Sequence, residues 1–130
     1  MKRFKNFLPG IIWLITSFIL LAMPAEDLPE SGFFDIPFFD KYVHFCMFFL
    51  LTFLFCIPFS LQNTSFKPWK PVSLMITVCV VLYGITMEFV QKYFVAGRAF
   101  DLADILFDTV GSFGGWICIR QFFFIKNRPR

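Results

Sequence analysis

Three short groups of ionisable side chains carry what chemistry this sequence could do. The first is Asp40, Lys41 and His44, in the stretch Asp-Lys-Tyr-Val-His. An imidazole beside a carboxylate exchanges protons near neutral pH, and His44 is the only histidine. Asp40 and His44 stand four residues apart, so they share one face of a helix that begins by Asp40. The plainer reading makes Asp40 an N-cap that accepts a backbone N–H. The second group is Glu88 and Gln91. With Gly84 they fall at i, i+4 and i+7 and line one helix face. A lone carboxylate there needs a partner, and an interhelical hydrogen bond or ion pair is the plain structural role. The third group runs from Arg98 to Asp108. Asp101, Asp104, Asp108, Gly111 and Gly115 follow i, i+3, i+7, i+10 and i+14, one stripe down a helix. A helix N-terminus favours carboxylates through its dipole. Asp108 lies about 6 Å deeper than Asp104 at 1.5 Å rise per residue, and is the acid least explained by capping. Gly111 and Gly115 form a G-x-x-x-G spacing, which permits close helix approach.

The elements that must position these groups are set by hydropathy. The chain has 130 residues, of which 58% are hydrophobic and 16% charged, with a mean hydropathy of +0.70. Soluble domains are roughly 45–50% apolar and about 25% charged. A water-soluble fold of this size could not hide so much apolar surface, and lipid is the solvent that removes the problem. Polar breaks divide the chain into apolar runs over residues 8–23, 42–61, 72–90 and 105–125. A spanning helix needs about 20 residues. The pattern predicts an all-α membrane protein with four transmembrane helices, roughly 5–23, 41–61, 72–91 and 103–125, in one domain over 1–130. The first run has a basic start and no clean small-x-small exit before Pro24, so it reads as an uncleaved signal anchor.

Charge orients the bundle. With the N-terminus and C-terminus cytoplasmic, Lys2, Arg3, Lys5, Lys67, Lys70, Arg120, Lys126, Arg128 and Arg130 lie inside or close to it. Lys41, Lys92 and Arg98 remain outside, a bias of nine to three that satisfies the positive-inside rule. All three polar groups then lie at the same extracytoplasmic boundary. Ionisable side chains in spanning segments cost about 2.5–3.5 kcal/mol at the bilayer centre on insertion scales, and they mark function by default. Cys46, Cys56, Cys79 and Cys118 sit within apolar runs without metal-type spacing, and read as packing. There is no Gly-rich phosphate loop, nucleophile elbow, paired zinc-binding histidines or basic-aromatic surface, so no nucleic acid, cofactor or metal is expected.

The order Asp40-Lys41-x-x-His44, Glu88-x-x-Gln91, Arg98, Phe100-Asp101-x-x-Asp104 and Gly111 resembles the VanZ-like family over about residues 35–118. That family consists of small bacterial membrane proteins named for a protein linked to teicoplanin resistance. The family often has an amide side chain where this sequence has Asp108. An acid there has three uses: to titrate, to pair with Arg98 or to bind a cation. The resemblance implies a bacterial cytoplasmic membrane, contact with membrane lipid, and a lipid-linked cell-wall precursor or a glycopeptide as partner.

Three functions follow. In one, the outward polar cluster binds or modifies a cell-envelope component and so reduces glycopeptide action. In another, the protein is an enzyme on a lipid head group, with Glu88 or His44 as general acid or base and Arg98 holding a phosphate. In the last it is a structural or accessory subunit, and Arg98 pairs with Asp101, Asp104 or Glu88 to hold helices together.

Overall fold

The computed structural model describes residues 5–27, 37–61 and 69–126. Four α-helices account for most of them: α1 (Leu8–Leu21), α2 (Phe39–Leu61), α3 (Trp69–Phe94) and α4 (Leu102–Lys126), with a single 3-10 turn at Ala25–Asp27. No strand occurs among the described residues. α2, α3 and α4 are long and apolar enough to cross a membrane. α1 is apolar but has 14 residues. At 1.5 Å per residue it is about 21 Å long, short of a hydrocarbon core of about 30 Å. Lys2, Arg3, Lys67, Arg128 and Arg130, on which the orientation largely rests, lie outside the described residues, as do Glu30 and Asp35.

The helix ends differ from the sequence expectation for local reasons. α1 stops at Leu21 because Pro24 follows closely and proline cannot continue a helix. α2 begins at Phe39, after Phe38 takes a left-handed φ of 62°. Asp40 therefore stands inside the first turn and is not the cap. α3 starts at Trp69, since Pro71 falls in the first turn, where backbone N–H groups have no intrahelical acceptor anyway. It runs past Gln91 to Phe94 and is turned at Gly97, whose φ is +72°.

Contacts set the helix directions. His44 meets Asp108, and Gly111 and Gly115 abut the Phe45 and Phe49 carbonyls, so α2 and α4 run parallel. A Cβ at either glycine would strike α2 backbone, so the two helices approach closely here. α1 runs antiparallel to α2, with Gly10 against Phe55 and the Trp13 indole donating to the Met47 carbonyl at 3.0 Å. It runs parallel to α3, where Ser17 and the Tyr83 hydroxyl lie 3.2 Å apart. The buried core joins Leu21, Met47, Phe48, Leu51, Val80 and Met87. Large apolar side chains such as Ile12, Ile15, Leu82, Leu106 and Phe124 remain exposed, as lipid-facing positions require.

The two ends of the bundle differ in chemistry. One gathers the start of α2, the end of α3 and the start of α4. The other carries Trp69 stacked near Phe123 and Arg120 over Trp116, the aromatic and cationic pairing found at membrane interfaces. Between them, small polar side chains are mostly satisfied by backbone carbonyls. The Trp116 indole donates to Ser73 Oγ, and Ser73, Thr77 and Ser112 bond back to carbonyls on their own helices. Thr52 Oγ1 is the buried exception among the described residues, with no partner. The four cysteines are free thiols; Cys56 is buried and the others are exposed.

Candidate functional site

The polar end is organised around Lys41. Its ammonium is buried and pairs with Asp40 at 3.1 Å, with Asp101 and with Asp104. The partners come from two parallel helices, because the 60-residue gap between Lys41 and Asp101 is spanned by α3 returning to the same end. Lys41 can be buried because it is paired on several sides. Asp101 is the N-cap of α4: Oδ1 accepts the Ala103 backbone N–H at 2.8 Å while Oδ2 binds Lys41. The Lys41 ammonium, together with that N–H, holds the Asp101 carboxyl below the usual carboxylate range. Asp40 and Asp101 form the rim, with side chains 58% and 46% exposed.

Below the rim lies His44. Its Nδ1 is 2.9 Å from Asp108 Oδ1. With Asp108 ionised the carboxylate only accepts, so Nδ1 is then the donor and a neutral ring has its lone pair at Nε2. Nε2 faces Asp104 Oδ2 at 3.9 Å, beyond hydrogen-bond distance. The ring lies parallel to Phe48 with centroids 6.5 Å apart, which fixes its plane. Asp108 fits because Gly84 on α3 leaves room: a Cβ there would lie 2.8 Å from Asp108 Oδ2. One turn further along α3, Glu88 is 1% exposed and accepts the Asp101 backbone N–H on Oε2 at 2.9 Å. One donor atom each from His44, Glu88 and Asp104 lies within 4.8 Å of the other two.

Two candidates stand apart. Gln91 donates to the Leu21 carbonyl at 2.9 Å, and Arg98 Nε donates to the Met23 carbonyl at 3.4 Å. Both satisfy groups left open where α1 ends. The left-handed turn at Gly97 packs on Ala25, which carries Arg98 toward α1. Arg98 therefore makes none of the expected pairings with Asp101, Asp104, Glu88 or Asp108 among the described residues; Lys41 and His44 hold those places. Asp40 and His44 do not act as one pair either, since Asp40 points to the rim while His44 is buried. Phe48 joins the site as the ring parallel to His44, and its i+4 spacing from His44 is a helix-face signal in the sequence.

A family model described as VanZ/LLP1 matches residues 4–125, nearly the whole chain. The chain belongs to the VanZ/LLP1 family. An uncharacterized protein of the fission yeast Schizosaccharomyces pombe is 36% identical over 98 residues, which cover 75% of this chain and 57% of that protein. The chain thus spans a little over half the length of this curated relative. No solved structure matches it. In this VanZ/LLP1 chain the motif residues of α2, α3 and α4 meet at one end, as a packed network of carboxylates around one ammonium and one imidazole.

Proposed function

We propose that the protein holds the polar head of a membrane lipid at the Lys41 end of the bundle, with an acyl chain lying against α2 and α4. The observation that carries this reading is the junction of a polar rim with an apolar groove. A groove of about 350 Å³ is lined by Tyr42, Phe45, Leu106, Phe107 and Val110, directly below Lys41 and Asp104 in the sequence of each helix. A second, of about 260 Å³, lies on the other side of Tyr42 between α1 and α2. An amphiphile needs an apolar wall ending in polar groups, and this end of α2 supplies both. Five carboxylates, Asp40, Glu88, Asp101, Asp104 and Asp108, face one ammonium and one imidazole. That balance suits a head group that carries an amine. A lipid-linked wall precursor, and with it protection against teicoplanin, is the narrower form of the same reading.

The test is lipid retention. Full-length protein is reconstituted in nanodiscs of mixed lipids, and the lipids it retains on extraction are identified by mass spectrometry. An amine-bearing lipid is expected to be enriched over bulk, and the double variant Asp40→Asn/Asp101→Asn to lower that enrichment about tenfold. Lys92→Ala, outside the cluster, leaves it unchanged. A wild-type protein with no enriched lipid class sinks the proposal. In a teicoplanin-sensitive host, protection by the wild type and its loss in the double variant at equal abundance identify the ligand as a wall precursor. Unchanged sensitivity with both assigns it to the phospholipids.

A further inference from the structure

We propose that His44, Glu88 and Asp104 form a binding site for one divalent first-row transition ion, with Zn²⁺ as the best fit and Mn²⁺ the next. The site lies beneath the rim that would meet a lipid head, and none of its ligands comes from a lipid. It therefore does not depend on the lipid reading.

The case rests on how each of the three side chains is held. Each has one polar atom anchored by a partner, which leaves a second one to bind. His44 is fixed through Nδ1 by Asp108, leaving Nε2 with no hydrogen bond in a side chain that is 7% exposed. Glu88 is fixed through Oε2 by the Asp101 backbone N–H. Asp104 is fixed through Oδ1 by Lys41, and its Oδ2 faces the imidazole. Metal-binding histidines characteristically donate their second ring N–H to a carboxylate, which sets the tautomer and aims the lone pair. Asp108 stands in that relation to His44. A carboxylic acid here, where an amide would serve for packing alone, gives the ring a stronger acceptor.

Distances favour an ion over a direct contact. His44 Nε2 and Asp104 Oδ2 are 3.9 Å apart, too far to bond one another. Donors on a tetrahedral ion at about 2.1 Å lie about 3.4 Å apart. That pair closes by about 0.5 Å on binding, and the 4.8 Å limit on all three donors leaves at most about 1.4 Å, which side-chain rotations can supply. Three protein ligands with an open position are the arrangement of reactive zinc sites. Imidazole among the donors argues against Mg²⁺ and Ca²⁺, which take oxygen ligands. A double positive charge also offsets the repulsion among Glu88, Asp104 and Asp108 in a low-dielectric setting.

The experiment uses full-length protein in detergent, with no added lipid, loaded with Zn²⁺ or Mn²⁺ and freed of unbound ion. Metal analysis is expected to find about one ion per chain. His44→Ala, Glu88→Gln and Asp104→Asn each lower retention at least tenfold, and Asp108→Asn weakens affinity about 10–100-fold while keeping the ligand set. Glu26→Gln, an exposed acid, leaves binding unchanged. X-ray absorption on the wild-type zinc form should show one imidazole with oxygen neighbours, and it decides the matter even where a variant does not fold. A wild type that retains neither ion, a spectrum without imidazole scattering, or a folded His44→Ala protein that binds as tightly as wild type would overturn the proposal. Failure of lipid retention with metal binding intact would leave this site standing.

Discussion

At the scale of single residues, Gly84 shows how tightly the polar end is fitted. Glycine inside a helix costs about 1 kcal/mol relative to alanine, so helix propensity works against it here. Its place is explained by neighbours on two other helices: a Cβ would lie 2.8 Å from Asp108 Oδ2 and 2.9 Å from Phe48 Cε1. Both are parts of the His44 environment, one as its hydrogen-bond acceptor and one as its stacking partner. Gly84→Ala gains helix propensity but overpacks the junction, at a cost of about 1–3 kcal/mol. The expected outcome is a lower Tm in detergent, with weaker retention of Zn²⁺ as Asp108 is pushed from His44. A variant as stable as wild type, with equal zinc retention, would mean that Asp108 has room to move. The spacing of Gly84, Glu88 and Gln91 marked a helix face in the sequence. What that face met did not follow from spacing, because Asp108 and Phe48 arrive from helices whose rotation depends on packing.

At the scale of elements, the decisive contact is the parallel seam between α2 and α4. Lys41 and His44 sit on one helix and Asp101, Asp104 and Asp108 at the start of the other, so their separation sets the pairings between them. The seam is held by backbone approach at Gly111 and Gly115, where an added Cβ would strike the carbonyls of Phe45 and Phe49. Gly114 differs, since the nearest atoms to its Cβ are in side chains, the Phe49 ring at 3.2 Å and the Phe45 ring at 3.8 Å. Gly111→Ala and Gly115→Ala are each expected to cost about 1–3 kcal/mol or more because a helix must move, and Gly114→Ala distinctly less because a ring can turn. Thermal unfolding of the three variants in one detergent checks the order; equal Tm values would contradict the seam. The helices were legible from hydropathy, and the stripe from Asp101 to Gly115 from its periodicity. The partners of Arg98 were not, since the left-handed turn at Gly97 aims that side chain at α1 and away from the acids. Lys41 takes the acids in its place, through a contact that only the return of α4 beside α2 creates.

At the scale of the whole molecule, α1 bears on which face of a membrane the cluster meets. α1 alone is too short to cross, but its neighbours fix the depth of its ends. Leu21 is held by Gln91 near the end of α3. Gly10 packs on Phe55, which lies 16 residues along α2 from Phe39, or about 24 Å at the helical rise. Lys5 lies beyond that point, so the segment from Lys5 to Asp27 covers the depth of the bundle even though its regular helix does not. Lys5 then shares a side with Lys70, and Glu26 shares the other side with the cluster. The positive-inside rule makes the expectation from the sequence that the Lys5 and Lys70 end faces the cytoplasm. Single cysteines introduced at Lys5, Glu26 and Lys70 in a background without the four native cysteines test this in intact cells. A membrane-impermeant maleimide should label the Glu26→Cys protein at once and the other two only after lysis. Labelling of Lys5→Cys with Glu26→Cys would show that the first segment returns without crossing. Labelling of Lys5→Cys and Lys70→Cys, with Glu26→Cys protected, would turn the bundle over and place Lys41, the rim and the proposed metal site on the cytoplasmic face.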